Sequence, residues 1–110
     1  MEDQTVGPDL SLTTDLDGAR AIVRINGELD AYSAPGLDEE VTRLIADNVT
    51  DLVFDLSGTD FLDSSGLRAI LTAQHAVTDR EGRLALRSPS TSVRRLLDIA
   101  GLTEQFIIES

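Results

Sequence analysis

The chain has 110 residues, no cysteine, and a formal net charge of −11 from 20 acidic and 9 basic side chains. This length suits one domain, and the hydrophobic content of 41% is that of a folded globular protein. The charge disfavours nucleic acid and anionic membrane surfaces as partners. Lack of cysteine excludes disulfides and thiolate metal sites, and no apolar run approaches the roughly 18 residues of a membrane span.

The N-terminal third predicts an acidic tail followed by a β-hairpin. Residues 1–9 are polar and acidic, which indicates a flexible tail before a single domain that spans residues 10–110. This acidic start differs from a secretory signal peptide, so we expect the protein in the cytoplasm. Apolar and polar residues alternate over 10–15 and 19–29, on either side of an Asp-Gly turn. The alternation predicts two antiparallel strands.

The middle of the chain predicts a helix, a strand and a loop. Ser33 is the expected N-cap of the helix, whose apolar residues recur every three or four positions until Asp47. The nearly continuous apolar run 52–56 is typical of a strand buried on both faces, as in a parallel sheet. Residues 57–63 predict the loop that leads into the next helix.

The C-terminal half predicts helices that alternate with strands. The expected elements are a helix from Ser64 to Glu81-Gly82, a strand at 84–86, a helix from near Ser90 to Gly101, and a strand at 106–108. Such alternation implies right-handed crossovers between parallel strands. We therefore expect an α/β fold with one mixed, mostly parallel sheet, opened by an antiparallel hairpin and covered by three to four helices.

The turn Asp63-Ser64-Ser65-Gly66 is the most informative segment. It leads from the region after the buried strand into a helix N-terminus, where ligands and reactions gather in open α/β sheets. Asp63 or Ser64 can cap the unsatisfied N–H groups of that helix. A phosphate on an outward-pointing hydroxyl would meet the positive end of the helix dipole, so the turn can accept a phosphoryl group without unfolding.

A plain helix cap is the alternative interpretation of this turn. Serine and aspartate are common N-cap residues, and Phe61-Leu62 before the turn can form a hydrophobic staple. These residues by themselves favour the plain cap over a functional site.

Three segments resemble stand-alone STAS domains of the anti-sigma factor antagonist family. They are RINGELD (24–30), LVFDLSG (52–58) continuing to FLDSSGL (61–67), and SVRRLLDIAGL (92–102). They occur in the family's order and spacing, and the resemblance covers residues 10 to 108.

The resemblance implies a partner-switching regulator rather than an enzyme. The family's phosphoacceptor is the serine directly after the motif aspartate, which corresponds to Ser64. The unphosphorylated protein binds an anti-sigma factor serine kinase and so frees the sigma factor. The kinase phosphorylates the serine and the complex dissociates, and a metal-dependent serine phosphatase restores the active form. We expect no cofactor or metal in the domain itself, and a monomer when the protein is free.

The resemblance also implies a set of partner-binding residues around Ser64. In the family the aspartate that ends the Gly-Glu-Leu-Asp strand lies beside the phosphorylation site, and Asp30 corresponds to it. A solvated, helix-capping role for Asp30 is the alternative. Asp63 is expected at the rim of the interface, and Gly66 is expected to let a partner approach closely. Ser65 is also expected at the interface, and it is the alternative phosphoacceptor.

Two other functions remain open from the sequence. Related STAS domains serve as non-cycling scaffolds of stress-signalling assemblies or as small subunits of lipid-transport complexes. A hydrolase with Ser64 as nucleophile would need a base. The single histidine, His75, lies about 16 Å along the helix from Ser64 at 1.5 Å per residue. A surface histidine is therefore the better interpretation of His75.

Overall fold

The structure is a computed structural model that describes residues 2–6 and 9–109, with side chains described from Thr5 onward. Within these ranges the chain forms seven strands, three α-helices and a turn of 3-10 helix. The strands are β1 (Glu2–Thr5), β2 (Leu10–Asp17), β3 (Arg20–Leu29), β4 (Asp51–Asp55), β5 (Thr59–Leu62), β6 (Arg83–Arg87) and β7 (Ile107–Glu109). The helices are α1 (Ala34–Ala46), α2 (Ser64–Thr78) and α3 (Thr91–Ile99), and the 3-10 turn is Thr103–Gln105. None of these helices is long and apolar enough to cross a membrane.

All described strands belong to one mixed sheet. Its order is β1-β2-β3-β4-β6-β7, and β5 pairs with β3 beside this path. The pairings of β1 with β2 and of β2 with β3 are antiparallel, and the other described pairings are parallel. The predicted α/β fold, with a mostly parallel sheet opened by an antiparallel hairpin and covered by helices, is confirmed.

One face of the sheet holds the hydrophobic core and the three helices. Alternate residues of the central strands, including Val23 and Phe54, are fully buried there against apolar side chains of all three helices. Their neighbours point to the opposite face because side chains alternate along a strand. On that face Arg24 and Asp55 form an ion pair at 3.7 Å. The shortest dimension of the fold, 22 Å, fits two layers, a sheet and one layer of helices.

Strand β3 pairs with two different strands in succession. Its residues 20–24 pair with β4 and its residues 27–29 pair with β5, with a shift of register between Gly27 and Glu28. Gly27 has a φ of +109°, and a Cβ there would lie 1.9 Å from the Asp9 carbonyl oxygen, so only glycine fits. The parallel pairing of β3 with β5 brings the ends of both strands to one edge of the sheet, where the connections to α1 and α2 begin.

A buried polar cluster joins α1 to β2. The Thr14 hydroxyl donates a hydrogen bond to Glu40 Oε2, and both residues are buried. Arg43 donates from Nε to Glu40 Oε1 at 2.8 Å and from Nη2 to Oε2 at 2.9 Å. Hydrogen bonds from the Arg43 guanidinium hold the pKa of Glu40 below its ordinary value, although burial opposes this shift. The cluster therefore keeps an ionised carboxylate inside the fold.

The predicted acidic tail is corrected in part. Residues Glu2–Thr5 form β1 and pair with residues 11–14 of β2, so this segment is an edge strand of the sheet. Its polar residues show no apolar alternation, and its pairing with β2 rests on the backbone. Residues 1, 7 and 8 of the predicted tail lie outside the described residues, as does residue 110 at the end of the predicted domain.

The predicted loop over residues 57–63 is also corrected, because it contains β5. Thr59 is buried, and its hydroxyl donates a hydrogen bond to the Ile25 carbonyl at 2.7 Å. The segment TDFL is buried only at its two ends. This pattern does not alternate, so the sequence alone did not indicate a strand.

Candidate functional site

The first turn of α2 presents Ser64 to solvent. Asp63 has an extended backbone, and its Oδ1 accepts a hydrogen bond from the Gly66 N–H at 2.9 Å, so Asp63 is the N-cap. Ser64 is the first helical residue and is exposed. Its hydroxyl makes no hydrogen bond to the residues that the structure describes. The turn therefore combines a structural cap at Asp63 with an unengaged hydroxyl at Ser64.

Gly66 lets α2 pack closely on the end of β3. The residue is buried, and a Cβ there would lie 2.4 Å from the Leu29 carbonyl oxygen and 2.6 Å from Leu62 Cδ1. Both distances are well below van der Waals contact. Contacts inside the domain therefore favour glycine at this position. The expected part of Gly66 in partner binding stays a prediction.

Ser65 faces a shallow depression between α1 and α2. The depression has a volume of about 230 Å³, and its lining includes Pro35 and Asp38 from α1 and Arg68 from α2. Ser65 is half-buried, whereas Ser64 is exposed. Ser64 is therefore the more accessible of the two candidate phosphoacceptors.

Asp30 organises the loop between β3 and α1. Its Oδ1 accepts hydrogen bonds from the backbone N–H groups of Tyr32 at 3.0 Å and Ser33 at 3.1 Å. The Ser33 hydroxyl lies within hydrogen-bond distance of the Glu28 carbonyl and of Asp30 Oδ1, and it accepts from the Asp30 N–H at 2.9 Å. Asp30 thus has a structural role in forming this turn, and its expected part in partner binding stays a prediction.

The predicted N-cap of α1 is only half right. Ser33 occupies the N-cap position, but its side chain makes no capping hydrogen bond and its backbone is helical. The reason is that its hydroxyl is engaged with the preceding loop. A capping hydroxyl accepts from the second or third N–H of a helix, but Pro35 has no N–H and the Gly36 N–H donates to the Ser33 carbonyl at 3.0 Å.

Exposed apolar side chains, which the sequence interpretation missed, lie in the loop after β3, on β5 and at the end of α3. Tyr32 is 93% exposed in the loop after β3, Phe61 is 47% exposed on β5, and Ile99 is 77% exposed at the end of α3. Phe61 and Ile99 border a groove of about 290 Å³ between β5 and α3, with Asp60 and Arg95 among its polar lining residues. Large exposed apolar groups are typical of interaction surfaces. Exposure of this kind depends on tertiary packing, and no local pattern reveals it.

The parallel pairing of β3 and β5 explains why these residues gather. Asp30 and Tyr32 follow the end of β3, and Ser64 follows the end of β5. Ends of parallel strands meet at one edge, so the two loops are neighbours. Helix α2 runs unbroken to Thr78, which keeps His75 about 16 Å along the helix axis from Ser64. The structure thus brings Asp30 and the Asp63–Gly66 turn together and keeps His75 apart.

A family model described as STAS domain matches residues 12–110. The chain belongs to the STAS domain family. The match covers every described element except β1 and the first two residues of β2. The resemblance stated from the three sequence segments is confirmed.

Two curated relatives of this STAS domain have similar length. The chain is 35% identical to the anti-sigma-F factor antagonist RsfB of Mycobacterium tuberculosis over an alignment of 86 residues, and this alignment covers 78% of this chain and 70% of the relative. It is 30% identical over 82 residues to the anti-sigma-B factor antagonist of Staphylococcus aureus, with 74% and 76% covered. Most of each relative is therefore aligned with this chain.

Solved structures show the same fold. The unphosphorylated form of the anti-sigma factor antagonist SpoIIAA has a TM-score of 0.79 at 23% identity, with 90% of this chain and 88% of that chain covered. The phosphorylated form of SpoIIAA, from Bacillus, has a TM-score of 0.73 at 21% identity, with 90% and 91% covered. At this identity the likeness supports the fold of the domain.

Proposed function

We propose that this STAS protein is an anti-sigma factor antagonist controlled by phosphorylation of Ser64. The observation that carries the proposal is the exposed, unengaged Ser64 hydroxyl directly after the capping Asp63. The names of the two curated relatives support the antagonist role. In the proposed cycle, the unphosphorylated protein binds an anti-sigma factor serine kinase and frees the sigma factor. Phosphorylated Ser64 ends the binding.

The chemistry divides between the two proteins. A serine hydroxyl is a weak nucleophile until a base and a bound nucleotide are brought to it. The chain offers no glycine-rich phosphate loop and no lysine, so the kinase must provide the ATP site, the metal and the catalytic base. The antagonist contributes the hydroxyl, held at the first turn of a rigid helix. It therefore acts as a substrate and binding partner in this cycle.

The phosphate works through charge. It adds about −1.5 to −2 at neutral pH, to a loop that already carries Asp63 and, on β5, the exposed Asp60. Repulsion and desolvation at an interface weaken binding, and a loss of about 3 kcal/mol lowers affinity by roughly 10²-fold. No rearrangement of the domain is required. A metal-dependent serine phosphatase would reset the protein, and such partners would place the cycle in the cytoplasm.

The partner-binding surface in this proposal is the edge around Ser64. It comprises the previously expected residues Asp30, Asp63, Ser65 and Gly66, and it is extended by the exposed ring of Tyr32. Exposed aromatic residues often dominate binding energy when a partner covers them. Asp63 and Gly66 act in this surface by holding the Ser64 turn in place.

The test is intact-mass spectrometry of the protein after incubation with ATP and each candidate anti-sigma kinase from its own genome. Wild type is compared with Ser64→Ala, and Ser65→Ala serves as the matched control. One added phosphate that is lost only in Ser64→Ala supports the proposal. A phosphate lost only in Ser65→Ala would move the acceptor by one residue. Folded protein that no kinase modifies would favour a non-cycling scaffold or a lipid-transport subunit.

A further inference from the structure

Arg68 is an exposed cation one helical turn beyond Ser64. In the part of the chain that the structure describes, Arg20, Arg24, Arg43, Arg83 and Arg87 all form ion pairs. Arg68 forms none, although acidic residues outnumber basic ones by more than two to one in this chain. An uncommitted guanidinium is therefore placed close to the proposed phosphoacceptor.

The spacing puts both side chains on the same face of α2. Ser64 and Arg68 are four residues apart in an unbroken helix, and both are exposed. Residues at this spacing are neighbours on a helix surface, and an anion that precedes a cation by four positions is the favourable orientation. Phosphorylation of Ser64 would create that pair, because the neutral hydroxyl offers Arg68 no charge.

Other charged groups around Arg68 do not already satisfy it. Asp38 of α1 lines the same depression as Arg68, and the pKa of Asp38 is raised by burial. No carboxylate oxygen of the described residues lies within the 4.0 Å of an ion pair with Arg68. The acidic groups near the turn, which are Asp30, Asp38, Asp60 and Asp63, would repel a phosphate on Ser64. The guanidinium is thus the one charge on this face of α2 that attracts it.

We propose that Arg68 is a positioning residue that holds the phosphate of phosphorylated Ser64 by an intrahelical ion pair. This inference rests on the proposed phosphorylation of Ser64 and adds the group that receives the phosphate inside the domain. Guanidinium groups donate two parallel hydrogen bonds to phosphate oxygens, so the pair fixes direction as well as charge. The phosphorylated antagonist would then present its phosphate along α2 rather than freely in solvent.

The test uses protein with phosphoserine inserted at position 64 during translation, so that no kinase is needed. Phosphorus NMR titration measures the second pKa of the phosphate in four backgrounds, which are wild type, Arg68→Gln, Arg68→Lys and Arg80→Gln. Arg80 is the matched control, because it is exposed, forms no ion pair with a described residue and follows the far end of α2. Comparison among variants cancels the common repulsion from the acidic neighbours.

We expect the second pKa of the phosphate to be about 0.3 higher in Arg68→Gln than in wild type. That shift corresponds to an exposed ion pair of this spacing. Arg68→Lys should recover most of the difference, and Arg80→Gln should match wild type. On phosphorylation, the Nε–H signal of Arg68 should also shift while that of Arg80 does not.

Equal pKa values in wild type and Arg68→Gln, with no shift of the Arg68 signal, would overturn the inference. The same phosphoserine protein also tests the proposed function separately through its affinity for the cognate kinase. If it binds the kinase as tightly as unmodified protein, the switch fails while the ion pair can still be observed. If only the ion pair is missing, the switch stands and the role of Arg68 is wrong.

Discussion

Replacement of Gly66 by alanine tests how the Ser64 turn is held. The added methyl group would lie 2.4 Å from the Leu29 carbonyl oxygen, about 1 Å short of the 3.4 Å at which ordinary contact begins. That oxygen belongs to the backbone of β3 and cannot rotate away. The second contact, to Leu62 Cδ1 at 2.6 Å, can relax by a change of rotamer. The first turn of α2 must therefore move outward.

The expected cost is the difference between two opposing effects. Overpacking of a core contact typically costs 1–3 kcal/mol, and alanine in place of glycine in a helix restores up to about 1 kcal/mol. Since the Leu29 oxygen is a backbone atom, the upper part of the overpacking range, about 2–3 kcal/mol, applies, and subtraction of about 1 kcal/mol leaves a decrease of about 1–2 kcal/mol in the free energy of unfolding. For a domain of this size, that corresponds to a decrease in Tm of roughly 4–8 °C.

Thermal and urea denaturation, followed by circular dichroism, measure this effect. Ser65→Ala is the matched control, since it lies in the same helical turn, adds no atom and slightly favours the helix. A Gly66→Ala protein as stable as Ser65→Ala would refute the reasoning.

A further consequence concerns Ser64, because displacement of a reacting group by about 1 Å can reduce a rate 10²-fold. Phosphorylation of the folded Gly66→Ala protein should be correspondingly slow.

Three further predictions concern single side chains. Glu40→Gln should make unfolding stability less dependent on pH. The pKa of Glu40 in the folded state is lowered from 4.5, so the stability that its carboxylate contributes is present above about pH 4.5 and is lost as the pH falls through the folded value. Urea titrations of both proteins at pH 7 and pH 3.5 measure the difference. Tyr32→Ala should leave Tm within about 2 °C of wild type, because the side chain is 93% exposed. The same substitution should weaken kinase binding, measured by calorimetry, at least about tenfold. Unchanged affinity would show that Tyr32 is not part of the interface. Asp30→Asn should keep the loop, since an amide oxygen still accepts from the Tyr32 and Ser33 N–H groups, whereas Asp30→Ala should lower the free energy of unfolding by about 1 kcal/mol. Equal kinase binding by Asp30→Asn and wild type would show that the charge of Asp30 has no part in recognition.

The sequence predicted those elements that bury an apolar pattern. Strand β4 is apolar and buried at its three central residues, and α1 and α2 carry apolar residues at helical spacing, so burial and periodicity agree. The cap at Asp63 also follows from residue type, because a short acidic side chain before a helix satisfies its free N–H groups. Local pattern and tertiary structure give the same answer at these positions.

The sequence predictions were wrong where long-range contacts determine the structure. β1 has a polar sequence with no apolar alternation, and it is an edge strand that pairs with β2. β5 pairs with β3, which lies about thirty residues earlier in the chain, across a register shift between Gly27 and Glu28. The close packing of Gly66 against Leu29 and Leu62 is likewise a long-range contact, and the sequence did not indicate it. Short sequence windows contain none of these long-range contacts.

The structural roles of the site residues determine how a phosphorylation switch at this edge can work. Asp63 caps α2, Gly66 packs against β3, and Asp30 holds the loop before α1. Substitutions that remove these contacts, such as Asp30→Ala and Gly66→Ala, perturb the fold as well as any partner contact. Ser64 and Tyr32 project from the same edge with exposed side chains. A rigid frame around the exposed Ser64 hydroxyl favours control by added charge over control by rearrangement, so phosphorylated and unphosphorylated forms should differ little in backbone and strongly in affinity.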